Sequence, residues 1–131
     1  MLSTEQKKII EEYKDFYKQI GKVACPYFQN DFVHFNRKGF NHLLRKGKNG
    51  RPFFKQTERL GLLKYCKRIL SAKHEHVAYR ETSKSDTIAR FWGFYGAIED
   101  FGVVVVVTQI NQGQKYFFSI YKTLNTPRGS V

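Results

Sequence analysis

Cysteine is scarce in this sequence. Only Cys25 and Cys66 occur, they form no CxxC pair, and neither has a histidine beside it, which excludes a disulfide framework and a cysteine-rich metal site. Reduced, structural thiols in a cytoplasmic protein are the expectation. Acidic residues are also few, eleven against twenty-three Lys and Arg, and none stands between Asp31 and Glu58. Long apolar runs are missing as well. The longest is the five valines of residues 103–107, far short of the roughly 20 residues that cross a bilayer, and no apolar stretch follows Met1. Neither a membrane span nor a secretory signal is expected. There is no P-loop, GxGxxG, GxSxG or HExxH, so nucleotide hydrolysis, dinucleotide chemistry and the common hydrolase routes lack their signatures.

What is present is a single-domain length of 131 residues, 41% hydrophobic and 16% aromatic, with twelve Phe and eight Tyr. That much apolar surface offsets ordering entropy and excludes intrinsic disorder. The formal net charge is +12, and residues 1–30 contribute almost none of it, because their five cations face four acids. A surplus of this size on so small a body attracts polyanions, and nucleic acid is the first partner to consider. Arg37, Lys38, Arg45, Lys46, Lys48, Arg51 and Lys55 form the acid-free run.

The periodicity predicts a helix over residues 3–20, opened by a Ser3–Gln6 capping box and stopped at Gly21. Residues 25–29 read as a connector and 31–35 as a short strand. Asn36 caps a helix over 37–46, which buries Phe40, Leu43 and Leu44 and turns Lys38, His42 and Arg45 to another face. Helical spacing resumes over 55–71. Strands follow at 77–82, 87–99, 102–111 and 115–123, the last two joined as a hairpin. Strict alternation places Lys115, Phe117, Ser119 and Tyr121 on one face of the last strand and Tyr116, Phe118 and Ile120 on the other, the apolar set toward the helices. A short loop would let Gln109 come opposite Ser119 or Tyr121.

The fold class expected is therefore α+β, with N-terminal helices on one face of a four- to five-stranded, mainly antiparallel sheet. Residues 1–30 form a helix and connector, 31–123 the main domain, and 124–131 a frayed tail. The free sheet face, polar and aromatic, suits single-stranded RNA. Lys38, Lys46, Lys48, Arg51, Lys55, Trp92, Phe117 and Lys122 are the candidates for binding it. His42 is the best acid or base, with Lys38 and Arg45 lowering its pKa by repulsion. Arg45 and Arg90 are candidate phosphate contacts. The HxH of His74 and His76 lacks supporting ligands, so no metal is assigned.

The order β-α-α-β-β-β, with the segments VHFNRKGFNHLLRK (33–46), RPFFKQTERLGLLKYCKRIL (51–70), FWGFYGAI (91–98) and VTQINQGQKYFFSIYK (107–122), resembles the phage-associated barnase/EndoU/colicin/RelE-like nucleases. The resemblance spans about residues 31–122. It implies metal-independent RNA cleavage by a toxin or phage-related effector, without a cofactor, through 2′-OH attack to 2′,3′-cyclic phosphate and 5′-OH ends. It also admits an antitoxin or immunity protein as a partner. Such cleavage needs a base, an acid and cations, and the candidate catalytic set is His42, Arg45 and Arg90 with Gln109, Ser119 and Tyr121 of the matched hairpin. Two other readings are a non-catalytic RNA-binding module on the same basic, aromatic face and a protein-interaction domain docked through the first helix.

Overall fold

A computed structural model describes residues 2–46 and 48–123. The tail expected at 124–131 lies outside the described residues. Helix α1 (Thr4–Ile20) has the anticipated capping box: Ser3 Oγ accepts from the Gln6 amide and Gln6 Oε1 accepts from the Ser3 amide. Strands β1 (Lys22–Cys25) and β2 (Asp31–His34) then pair antiparallel through a 3₁₀ turn, Pro26–Phe28, and the left-handed pair Gln29 and Asn30. Helix α2 (Arg37–Leu44) starts at Asn36, whose Oδ1 accepts from the Gly39 amide. It ends two residues early, because Arg45 and Lys46 form β3 and pair with β4 (Asn49–Gly50) in a small basic hairpin.

The helix expected over 55–71 is two helices. Helix α3 (Phe53–Leu60) stops at Gly61, and after a 3₁₀ turn α4 (Cys66–Ser71) resumes. Glycine is a poor helix residue, and the break lets Leu60 and Leu63 enter the core separately from Ile69 and Leu70. Strands β5 (Ala78–Lys84), β6 (Thr87–Ile98), β7 (Phe101–Ile110) and β8 (Lys115–Thr123) complete one antiparallel meander.

The sheet order is β1-β2-β8-β7-β6-β5, six strands instead of four or five. The count rises because the connector region begins with a strand: Val23 and Cys25 point into the core while Lys22 and Ala24 face out. The α+β class and the mainly antiparallel sheet stand. The one parallel join, β2 with β8, runs through His34 and Tyr116.

Beyond that pair β2 and β8 separate, and α2 lies against β8. A Cβ on Gly39 would collide with the Phe117 carbonyl oxygen, so only glycine permits this approach. The main core joins Phe40 and Leu43 of α2, Leu60 of α3 and Ile69 and Leu70 of α4 to Phe94, Val103, Val105, Val107, Phe117 and Ile120 of the sheet. Tyr17 of α1 packs among Phe35, Phe40 and Phe117, and its hydroxyl donates to the Asn36 carbonyl at 2.7 Å. A second cluster, Phe91, Val104 and Val106 with Ala89, Tyr95, Phe118 and Tyr121, occupies the opposite sheet face.

The expected alternation along β8 fails at one point. Val106 pairs with Ser119 but Val107 pairs with Phe117, leaving Phe118 as an extra residue in a β-bulge. Phe117 and Ile120 therefore both enter the main core, while Phe118 and Tyr121 join the second cluster and Ser119 lies opposite Val106.

Candidate active site at the β8 bulge

The bulge directs Phe118 toward the exposed side of α2. His42, half-buried in the last turn of that helix, stacks on the Phe118 ring at 4.1 Å between centroids, and Phe91 meets Phe118 edge-on. Lys38, Asn41, His42, Arg45, Tyr116 and Phe118 line an open groove of about 270 Å³. None of them is acidic. Arg45 donates to the Lys48 carbonyl, which holds its side chain along the basic hairpin.

Arg51 and Arg59 complete the setting. Arg51 Nε donates to the His42 carbonyl at 3.3 Å, and its own amide donates to the Leu44 carbonyl at 2.7 Å, so the strand end is tied to the end of α2. Gln56, buried on α3, donates from Nε2 to the same Leu44 carbonyl. Arg59 Nη1 donates to Ser119 Oγ at 2.8 Å and lies 3.4 Å from the Ile120 carbonyl oxygen, bridging α3 to β8 just past the bulge.

These contacts set the protonation states. Burial lowers the His42 pKa below its ordinary value, and repulsion from the Arg51 and Arg59 guanidiniums lowers it further. The sequence assigned that repulsion to Lys38 and Arg45. Both share the groove, but the cations that act on the imidazole come from the next helix and the loop before it. A helix C-terminus favours charged histidine, so burial and the two guanidiniums outweigh the α2 dipole. Among the described residues no hydrogen-bond partner meets the His42 ring. Burial also raises the Tyr121 pKa, while Arg59 opposes the rise. Arg59 itself is pushed down by burial and by Arg51. At neutral pH the site therefore holds a neutral imidazole, a protonated phenol and charged guanidiniums.

His42, Arg45, Ser119 and Tyr121 thus gather around α2, α3 and β8, with Lys38 and Arg51 beside them. Lys46 and Lys48 are exposed on the hairpin, and Lys55 is exposed on α3 with its ammonium near the Phe54 ring. Arg90 and Gln109 lie elsewhere. They pair with each other across β6 and β7, and Gln109 faces Lys115 on β8, so it does not come opposite Ser119 or Tyr121. Both are occupied: Arg90 bonds the Asn111 carbonyl at 3.0 Å and approaches Glu81 at 3.5 Å, and Gln109 donates to the Gly113 carbonyl. Phe117 is fully buried and offers a base no surface; Trp92 is half-buried with its ring against Phe28. Lys122 is exposed over the Phe101 ring, in register with Val103 and so on the main-core side of the sheet.

His74 bonds the Ile69 carbonyl and packs on Phe94, which makes it structural, and among the described residues no three His, Cys, Asp or Glu side chains converge. Arg59, Asn41 and Tyr116 were missed. Arg59 had a signal: Arg51, Lys55 and Arg59 recur at a spacing of four, one face of a helix. Tyr116 and Asn41 had none beyond their neighbours. The chain matches no protein-family model, no curated protein and no solved structure.

Proposed function

We propose that this protein is an endoribonuclease that cleaves RNA by internal transesterification. The observation that carries the reading is His42: a half-buried neutral imidazole, without a ring hydrogen bond among the described residues, beside a cationic groove. In this mechanism His42 takes the proton of a ribose 2′-OH, and the resulting oxygen attacks the adjacent phosphorus. The P–O5′ bond breaks, leaving a 2′,3′-cyclic phosphate and a 5′-oxygen that must gain a proton. Tyr121, held in its protonated form by burial, supplies an O–H donor for that oxygen. Arg59 and Arg51 offset the extra negative charge of the phosphorane, and Arg59 is anchored on Ser119 for that task.

Lys38, Arg45, Lys46 and Lys48 hold the flanking phosphates, and Tyr116 and Phe118 offer rings to a base. The route draws on no metal or cofactor. The buried free thiols of Cys25 and Cys66 suit a cytoplasmic enzyme, and no described helix is long and apolar enough to cross a membrane. The test is end-labelled RNA incubated with purified protein in EDTA. Cyclic phosphate and 5′-OH ends are the expected products. RNA bound tightly but left intact overturns the enzyme in favour of a binding module.

A further inference from the structure

The polycation surface does not end at the His42 groove. Between Glu58 and Glu75 the chain again holds no acid, and the cations there after Arg59 are Lys64, Lys67, Arg68 and Lys73. All four are exposed, and among the described residues none forms an ion pair. Lys64 borders the groove that Glu12 also lines, yet its ammonium rests near the Tyr65 ring.

Their placement works against local stability. Lys64 and Arg68 are like charges four residues apart, and Lys64 and Lys67 are three apart, spacings that repel on a helix surface. Lys67 sits in the first turn of α4, where the helix dipole disfavours a cation; only Arg68, in the last turn, gains from it. Helix α4 has six residues and no side-chain cap, so it gains little from its own propensity. Helix α1 shows the contrary pattern: Lys7, Lys8, Lys14 and Lys18 alternate with Glu5, Glu11, Glu12 and Asp15.

Geometry separates this ridge from the candidate active site. Ile69 of α4 packs on Gly96 and on the main-core side of β6, so the exposed side of α4 faces away from the sheet. Phe118 and Phe91, on which the His42 site is built, lie on the other face. We infer that the α4 ridge is a second RNA-backbone contact surface, and that the preferred RNA is folded and large enough to touch both sides of the domain. The choice of RNA as partner rests on the function proposed above. The ridge itself, four cations with no ion-pair partner among the described residues and no amide side chain among them for base edges, suits phosphate contact without sequence reading.

The test replaces Lys64, Lys67, Arg68 and Lys73 with Gln and measures affinity against salt for a folded, hairpin-rich RNA and for a short single strand. The expected result is weaker binding of the folded RNA, with a log–log salt slope shallower by about three, and unchanged binding of the short strand. Unchanged affinity and slope for the folded RNA would overturn the ridge, as would a loss confined to polyglutamate, which would mark it as an acidic-protein surface. Should the fourfold variant melt early, the pairs K64Q/K67Q and R68Q/K73Q each carry about half of the slope change. Folded RNA bound in this manner but never cut by the wild type would sink the nuclease and leave the ridge standing.

Discussion

Two cationic clusters flank the same sheet, and they differ in what neutralises them. In one, Arg90 approaches Glu81, Lys115 lies 3.5 Å from Asp31 with its ammonium over Phe28, and Gln109 closes on its own turn. In the other, Lys38, Arg45 and His42 share a groove with no carboxylate on any lining residue, while Arg51 and Arg59 act on the imidazole and Glu58 acts on Arg59. Both clusters look alike as a list of residue types. The difference teaches that a cation already paired inside the fold is structural, and that only the unpaired set holds an electrostatic field for an incoming phosphate.

The largest effect that would break this comparison is loss of cleavage on His42→Ala. A positioned base contributes about 10²- to 10⁴-fold in rate, so the variant should fall by that much in a gel assay. RNA affinity should persist, because the removed ring is neutral. Losing the stack on Phe118 costs about 1 kcal/mol of stability, visible as a small drop in melting temperature. Wild-type cleavage by this variant would refute the assignment of the base.

A pH experiment sharpens the same contrast. As a base His42 must be neutral, so cleavage should hold through neutral pH and decline only below the ordinary histidine range, as pH falls through the lowered pKa. Replacing Arg51 or Arg59 with Gln removes repulsion and should move the acid limb to higher pH, and the His42 ring signal in NMR titration should shift with it. Stability carries the same sign. The unfolded chain binds a proton at His42 more readily than the folded one, so stability falls as pH drops from about 6.5 toward the folded pKa and then levels. An acid limb unmoved by both Arg replacements would mean that His42 is not the group titrating.

The smallest effect belongs to the paired cluster. Arg90→Ala should cleave RNA at the wild-type rate and lose no more than about 1 kcal/mol in thermal unfolding, since its ion pair is half-exposed. A collapse of activity there would erase the distinction between the clusters.

Much of the local structure was legible. The capping box at Ser3, the Asn36 cap, the apolar stripe of α2 and the long β6–β7 meander follow from side-chain chemistry over a few residues. His42 and Arg45 were legible as one cationic helix face for the same reason. Arg90 and Gln109 were misplaced because strand alternation tells which residues share a face but not which neighbours the register brings opposite them. The strand β1 was missed since four residues containing a cysteine and an alanine carry too weak a pattern to separate from a connector.

By itself the sequence determined the charge surplus and its confinement to the body, the amphipathic helices, the β-branched core strand and the absence of long apolar or metal-binding motifs. These are properties of composition and of periods shorter than a turn or two. Only the tertiary structure decided which cations remain unpaired, because pairing is a matter of neighbours distant along the chain, such as Lys115 and Asp31, eighty-four residues apart. It also decided the faces of Phe117 and Phe118, since one inserted residue at Phe118 shifts a period of two by one, and that insertion is set by the ladder between β7 and β8.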